Sequence, residues 1–273
     1  MTRHVFRTVV AVTFVFGALA GATGQRAGAA SVVAPKAYYL ALGDSLAFGY
    51  QPNFDWSHGY AADFASNLRN HGSTSSVNYG CAGETAATFI HGGCPYQNFF
   101  MLHNYYTGPQ LNAALAFING HKGKVSPVTI DIGANDLKSL INTSTCQTGD
   151  YTAPLATFDN NLQIILTQLA SALAGSGTIL VMNYYDPYQN QCPNTVSLVQ
   201  LFNQHIAADA GTVAEAHNTF VPVADVFTAF GGTGTPNPTI CADTWMCSSF
   251  QDIHANSTGY SKIAQTFEAT YGY

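Results

Sequence analysis

Leu40-Ala41-Leu42-Gly43-Asp44-Ser45-Leu46-Ala47 breaks an apolar run at a glycine and follows it with an acid and a serine. A buried-type strand over Tyr38 to Leu42 therefore ends at Gly43, and residues able to open a helix come next. A serine at such a turn stands at the carboxyl edge of a sheet, beside the N-terminal amides of the following helix. The plainer reading is a helix cap, since Asp and Ser are both good N-cap residues. The turn alone allows both, so the rest of the chain must separate them.

Outward from this turn, strands and helices alternate. Tyr60, Ala61, Phe64 and Leu68 recur at helical spacing in a helix over His58 to Asn70, stopped at His71-Gly72. Val77 to Tyr79 is a short strand running into Gly80-Cys81-Ala82-Gly83. Leu111 to Ile118 reads as a helix, and the β-branched Val128 to Ile132 as a strand ending at Gly133. The longest amphipathic helix spans Leu155 to Leu173, with Phe158, Leu162, Ile165, Leu166 and Leu169 on one stripe. Thr178 to Met182 is the clearest strand, followed by a helix over Val196 to Ala216. Phe220 to Val223 is a last short strand and Thr258 to Tyr271 the last helix. Strands alternating with helices in this way predict an α/β fold, a parallel sheet covered on both faces with right-handed crossovers. A ligand site in such a sheet lies beyond the carboxyl ends of the strands. Three of those ends, at 43–45, 80–85 and 133–136, break into glycine and small polar residues.

Of 273 residues, 47% are hydrophobic and only 9% are charged, enough apolar material for a large core under a surface of Asn, Gln, Thr, Ser and Tyr. The net charge of −6, with no basic cluster beyond the N-terminus, argues against nucleic acid as a partner. Arg3, His4 and Arg7 precede the apolar run Val9 to Ala20, and a small-residue stretch closes with Ala27-Gly28-Ala29. This is the pattern of a secretory signal over 1–30, its apolar run too short to span a bilayer comfortably; a retained membrane anchor is the less favoured alternative, and cleavage leaves 31–273 as one domain. All six cysteines follow it, and in an exported chain they read as disulfides with fifteen pairings open. Cys81 with Cys94 and Cys241 with Cys247 would close short loops, which leaves Cys146 with Cys192. The absence of any Cys-x-x-Cys argues against structural zinc.

Ester hydrolysis needs a nucleophile, a base for its proton and donors for the tetrahedral oxyanion. Ser45 is the candidate nucleophile. Asn135, just past a strand, offers a side-chain amide, and Gly83 a backbone N–H with no side chain in the way. His254 sits in Phe250-Gln251-Asp252-Ile253-His254-Ala255-Asn256, just before the final helix. Each has a plain alternative: Gly-x-Asn-Asp makes a good turn, glycine suits any loop, and one histidine of nine is weak evidence.

Taken together and in this order, they resemble the SGNH, or GDSL, family of serine esterases and lipases. The resemblance runs over nearly all of the chain after the signal, from Gly43-Asp44-Ser45-Leu46 through Asn78-Tyr79-Gly80-Cys81-Ala82-Gly83-Glu84-Thr85 and Gly133-Ala134-Asn135-Asp136 to His254. It implies a flavodoxin-like SGNH hydrolase fold, a three-layer α/β/α sandwich around a five-stranded parallel sheet. It also implies Ser45 as nucleophile and His254 as general base. The amides of Ser45 and Gly83 and the side chain of Asn135 would form the oxyanion hole, with no metal or cofactor. Secreted family members with three disulfides favour the sequential pairing Cys81–Cys94, Cys146–Cys192 and Cys241–Cys247.

The chain departs from the family at its Asp-x-x-His motif. Gln251 stands three residues before His254, Asp252 stands two before, and Ala255 replaces the usual proline. Three acceptors for the imidazole Nδ1 proton stay open: Asp252 in a rearranged loop, the amide oxygen of Gln251, or a backbone carbonyl of the Cys241–Cys247 loop. Loss of the carboxylate from a triad built around it costs on the order of 10⁴ in kcat, largely through the wrong tautomer. Some acceptor is therefore required, and Asp252 is preferred. Asp44 and Asp136 are expected to hold loop amides, and Glu84 to cap a short helix after Gly83. Tyr96, Phe99, Phe100, Tyr105 and Tyr106 either wall an acyl pocket or simply pack as a loop.

The resulting expectation is a secreted, monomeric serine hydrolase of carboxylic esters, acting on a small-molecule or lipid ester, phospholipids included, without stable membrane insertion. A competing reading is a catalytically impaired member that binds carbohydrate or a surface, supported only by the altered Asp-x-x-His. A flavodoxin-like cofactor protein shares the topology, but Asp44 would repel phosphate in the first loop.

Overall fold

The computed structural model describes residues 31–99 and 102–273. The segment read as a signal, 1–30, lies outside the described residues, as does Phe100. The chain opens with β1 (Tyr38–Gly43), α1 (Ser45–Phe48), α2 (Tyr60–Arg69), β2 (Ser75–Asn78), α3 (Ala86–His91) and α4 (Gln110–Gly120). It continues with β3 (Val125–Asp131), α5 (Ala134–Leu137), the hairpin β4 (Ile141–Asn142) and β5 (Gln147–Thr148), α6 (Thr152–Leu173) and β6 (Ile179–Met182). Then follow α7 (Thr195–Ala216), β7 (Val223–Ala224), α8 (Val226–Ala229), α9 (Pro238–Asp243) and α10 (Ser257–Tyr271).

Five of these strands form one parallel sheet in the order β2-β1-β3-β6-β7. The apolar runs of β1 and β6 follow from burial on both faces, and β3 is buried along its whole length. Helices α2 and α10 pack together on one face, and α4, α6 and α7 on the other, which makes the three-layer α/β/α arrangement. The Phe158, Leu162, Ile165, Leu166 and Leu169 stripe of α6 is fully buried against this core. From β1 the chain crosses to β2 on one side, and β3 then lies on the other side of β1. The strand order therefore reverses between β1 and β3, and the crevice beyond their carboxyl ends is where such a sheet binds ligands. Among the described residues, no helix is long and apolar enough to cross a membrane.

Three details depart from the sequence reading. The last strand begins at Val223, not Phe220, because Pro222 has no N–H to give the ladder and Phe220 is exposed. The edge strand β2 starts at Ser75; its first residues face solvent and show no apolar pattern, and pairing with β1 defines it. Short helices α3, α5, α8 and α9 and the β4–β5 hairpin are too brief to carry a period. Cys81 pairs with Cys94, Cys146 with Cys192 and Cys241 with Cys247. The second of these ties the hairpin to the segment that opens α7.

Candidate active site

Gly43 ends β1 with φ at +137°, and a Cβ there would meet the Asp131 carbonyl oxygen at 2.2 Å. Only glycine lets the chain turn this close to β3. Asp44 then caps α1, its Oδ1 accepting from the Leu46 N–H at 2.9 Å, while its Oδ2 accepts from the Tyr184 hydroxyl at 3.1 Å. Asp131, at the end of β3, accepts from the amides of Asp44 and Ala47 through one oxygen and from the Tyr60 hydroxyl through the other. Both carboxyls are buried. Burial, and then the charge of Asp44, pushes the Asp131 carboxyl far above the usual range. Burial raises the Asp44 carboxyl as well, against its hydrogen bond from the Leu46 N–H. The helix cap and the candidate nucleophile are thus adjacent residues: Asp44 caps, and Ser45 is left at the first helical position.

His254 reaches Ser45 from the opposite end of the chain. Its Nε2 lies 2.8 Å from Ser45 Oγ, and its Nδ1 lies 2.6 Å from Asp252 Oδ1. The same Asp252 oxygen accepts from the His254 backbone N–H at 2.9 Å. The acid two residues before the histidine thus folds back on it in an Asx-type turn. Gln251 makes this possible by taking φ of +48°, a left-handed conformation. Its side chain is exposed, so it is not the Nδ1 partner. The Cys241–Cys247 loop does not approach the imidazole through a carbonyl either. It braces the backbone instead: the Asp252 N–H donates to the Trp245 carbonyl, and the Trp245 N–H to that of His254. Burial alone would raise the Asp252 carboxyl, but the hydrogen bond and charge of His254 outweigh it and hold it below its ordinary value.

The proposed oxyanion donors come from two further strand ends. Asn135 opens the short helix after β3, and its Nδ2 donates to the Glu84 carbonyl at 2.9 Å, which fixes the amide and leaves its second proton free. Among the described residues, the N–H groups of Ser45 and Gly83 meet no acceptor. Asp136 holds the segment just after Gly83, accepting from the Ala86 N–H at 3.0 Å.

Glu84 has a different place from the cap expected of it. Thr85 caps α3, in a reciprocal capping box with Thr88. The Glu84 side chain turns inward and is 1% exposed, with Oε2 accepting from Gln110 Nε2 at 3.0 Å and Oε1 unpartnered. Gln110 in turn grips both backbone groups of Gly43, at 2.7 and 3.0 Å. Burial pushes the Glu84 carboxyl up to about 7. Glu84 and the sulfurs of Cys81 and Cys94 lie within 4.8 Å of one another, but both cysteines are in a disulfide and offer no thiolate to a metal.

A cavity opens beside Ser45, lined by Leu46, Leu137, Ile141, the stretch 184–188, Leu198, Val199, Phe202 and Ile253. The aromatic run Tyr96 to Tyr106 does not line it. Instead, Tyr106 packs edge-on against Tyr79, while Phe99 and Tyr105 are exposed. The pocket wall was missed in the sequence although it follows directly on the clearest strand. Tyr184 to Tyr188 continue from the carboxyl end of β6, the edge at which a site was expected.

Comparison with known proteins matches residues 41–262 to the family model described as GDSL-like lipase/acylhydrolase. No curated protein sequence matches the chain. Among solved structures, the chain is similar to the acetylxylan esterase Axe2 of Geobacillus stearothermophilus, with a TM-score of 0.57 at 16% identity, covering 89% of this chain and 97% of that one. It is also similar to TesA, with a TM-score of 0.50 at 18% identity over 86% of this chain and 98% of that one. At these identities the likeness is one of fold. The family match runs from within β1 into the first turns of α10 and contains all the strand ends described above. This chain belongs to the GDSL-like lipase/acylhydrolase family of ester hydrolases.

Proposed function

We propose that the protein is a secreted serine esterase in which Ser45 is the nucleophile, His254 the general base and Asp252 the residue that orients it. The observation carrying this reading is the unbroken chain from Ser45 Oγ to His254 Nε2 at 2.8 Å and from His254 Nδ1 to Asp252 at 2.6 Å. In this reading His254 Nε2 takes the Ser45 proton as Oγ attacks the ester carbonyl. Negative charge developing on the carbonyl oxygen meets the amides of Ser45 and Gly83 and the free proton of Asn135 Nδ2. Collapse of the tetrahedral species expels the alcohol, which receives the proton from His254 Nε2. Water, activated by the same nitrogen, then releases the acid from the acyl-serine.

Asp252 suits its role through its double hold on the histidine, because the backbone N–H and Nδ1–H share one oxygen. That arrangement favours this reading over a catalytically impaired binding protein, whose support was the altered Asp-x-x-His. The stretch 1–30 is read as a secretory signal, and 31–273 as the mature domain. Six paired cysteines among the described residues support an oxidising destination. Hydrolysis of p-nitrophenyl butyrate by the purified protein, compared with its Ser45→Ala variant, tests the reading. Turnover should disappear in the variant, and turnover that persists there contradicts it.

A further inference from the structure

The cavity beside Ser45 has walls whose polar atoms are already committed elsewhere. Tyr184 spends its hydroxyl on Asp44, at 3.1 Å, and Tyr185 donates its own to the Ile253 carbonyl at 2.8 Å. Asp186 accepts from the Tyr188 N–H at 2.9 Å and from the Thr195 hydroxyl at 2.6 Å. What these residues present to the cavity is ring and chain carbon. The floor is also carbon: Phe202 stacks on Tyr184 with ring centroids 5.6 Å apart and meets Phe158 at 4.9 Å. Leu137, Ile141, Leu198 and Val199 close the sides. Apart from Ser45, Asn135 and His254, only half-buried Tyr188 and exposed Lys138 leave a side-chain donor without a partner among the described residues. The empty space is about 790 Å³, including the part open to solvent.

A carbohydrate acyl ester would leave its hydroxyls facing carbon here, whereas an aliphatic chain would lose nothing on entry. We infer that this cavity is an acyl-chain subsite and that the enzyme prefers esters of longer unbranched aliphatic acids over acetyl esters. Val199, half-buried on α7 and facing the cavity, is a specificity-determining residue. The inference rests on the serine-esterase reading above and adds to it which side of the ester is selected and by which walls.

Each methylene that leaves water for such a wall can raise kcat/KM by up to about fourfold. The test measures kcat/KM for p-nitrophenyl esters from acetate to octanoate, and separately for acetate esters of alcohols of the same lengths. The first series should rise at least tenfold from acetate to hexanoate or octanoate, and the second should stay nearly flat. Val199→Trp, which fills the cavity, should lower kcat/KM for octanoate at least tenfold more than for acetate. Val199→Ala should move the optimum to a longer acyl chain. A flat acyl series, or a length dependence found only in the alcohol series, overturns the inference while leaving the serine esterase intact. Loss of the esterase reading would show differently, as hydrolysis of every ester surviving Ser45→Ala.

Discussion

Replacing Asp252 by Asn and by Ala should give two sharply different enzymes. In the native loop, Asp252 Oδ1 accepts from both the backbone N–H and the Nδ1 of His254, at 2.9 and 2.6 Å. Asparagine has one oxygen, and the backbone N–H can be satisfied only by that oxygen. The amide is therefore held with its acceptor toward Nδ1, and the tautomer that leaves Nε2 free to take a proton survives. What the asparagine lacks is the charge. A charge-assisted hydrogen bond is worth about 1–2 kcal/mol more than a neutral one, so kcat should fall roughly 5- to 30-fold. Alanine leaves neither donor an acceptor, frees the imidazole to take the wrong tautomer, and should cost about 10³ to 10⁴. The assay is kcat on a saturating soluble ester, with circular dichroism to show that both variants are folded. If asparagine proves as damaging as alanine, the shared-oxygen argument is wrong. If alanine costs less than tenfold, Asp252 is not the residue that orients His254.

Two further predictions concern the framework. Glu84 is raised to about 7 in the folded protein against an ordinary 4.5, so the native state holds a proton that the unfolded chain has released between those values. Native stability therefore falls as pH rises through that window, by at most about 3 kcal/mol. Glu84→Gln should reduce that slope in urea titrations by its own share, leaving the dependence from the other carboxyls that burial raises, among them Asp131, together with Asp136 and Asp209, the last two each to about 6. An unchanged slope would mean that Glu84 is not protonated in its pocket. Gly133→Ala should destabilise by about 2–4 kcal/mol, since φ there is +118° and a Cβ would meet the Phe158 ring at 2.3 Å and the Phe202 ring at 2.7 Å. Thermal unfolding reads this, and an unshifted midpoint would contradict the packing described.

The strand ends were legible because each required something unusual of the backbone. Gly43 had to pass close to β3, and the glycine at 133 had to pass over two phenylalanine rings, so both left a glycine where the apolar run broke. The core was legible for the same reason that it is stable: β1, β3 and β6 carry apolar and β-branched runs buried on both faces, and the buried stripe of α6 is long enough to show its period. β2 and β7 were misplaced by two or three residues because an edge strand with exposed serines, and one interrupted by Pro222, are defined by their partners. The Asp252–His254 contact was only a preference, because it depends on one left-handed residue, Gln251, which carries no local sequence signal. Glu84 was assigned to the wrong task because a capping acid and a buried acid look alike until the neighbouring threonine is seen to do the capping. The pocket wall was hidden for a different reason. Tyr184, Tyr185, Leu198, Val199 and Phe202 meet only when the loop after β6 folds back on α7, a contact that no local period records.

The claim on which the account depends most is that Ser45 carries the acyl group. Labelling the protein with a fluorophosphonate, followed by digestion and mass spectrometry, tests it directly. One adduct is predicted, on Ser45 in the peptide containing Gly43-Asp44-Ser45, and it should be absent from Ser45→Ala and strongly slowed in His254→Ala. An adduct on any other residue, or none in a protein that still hydrolyses esters, would contradict the account.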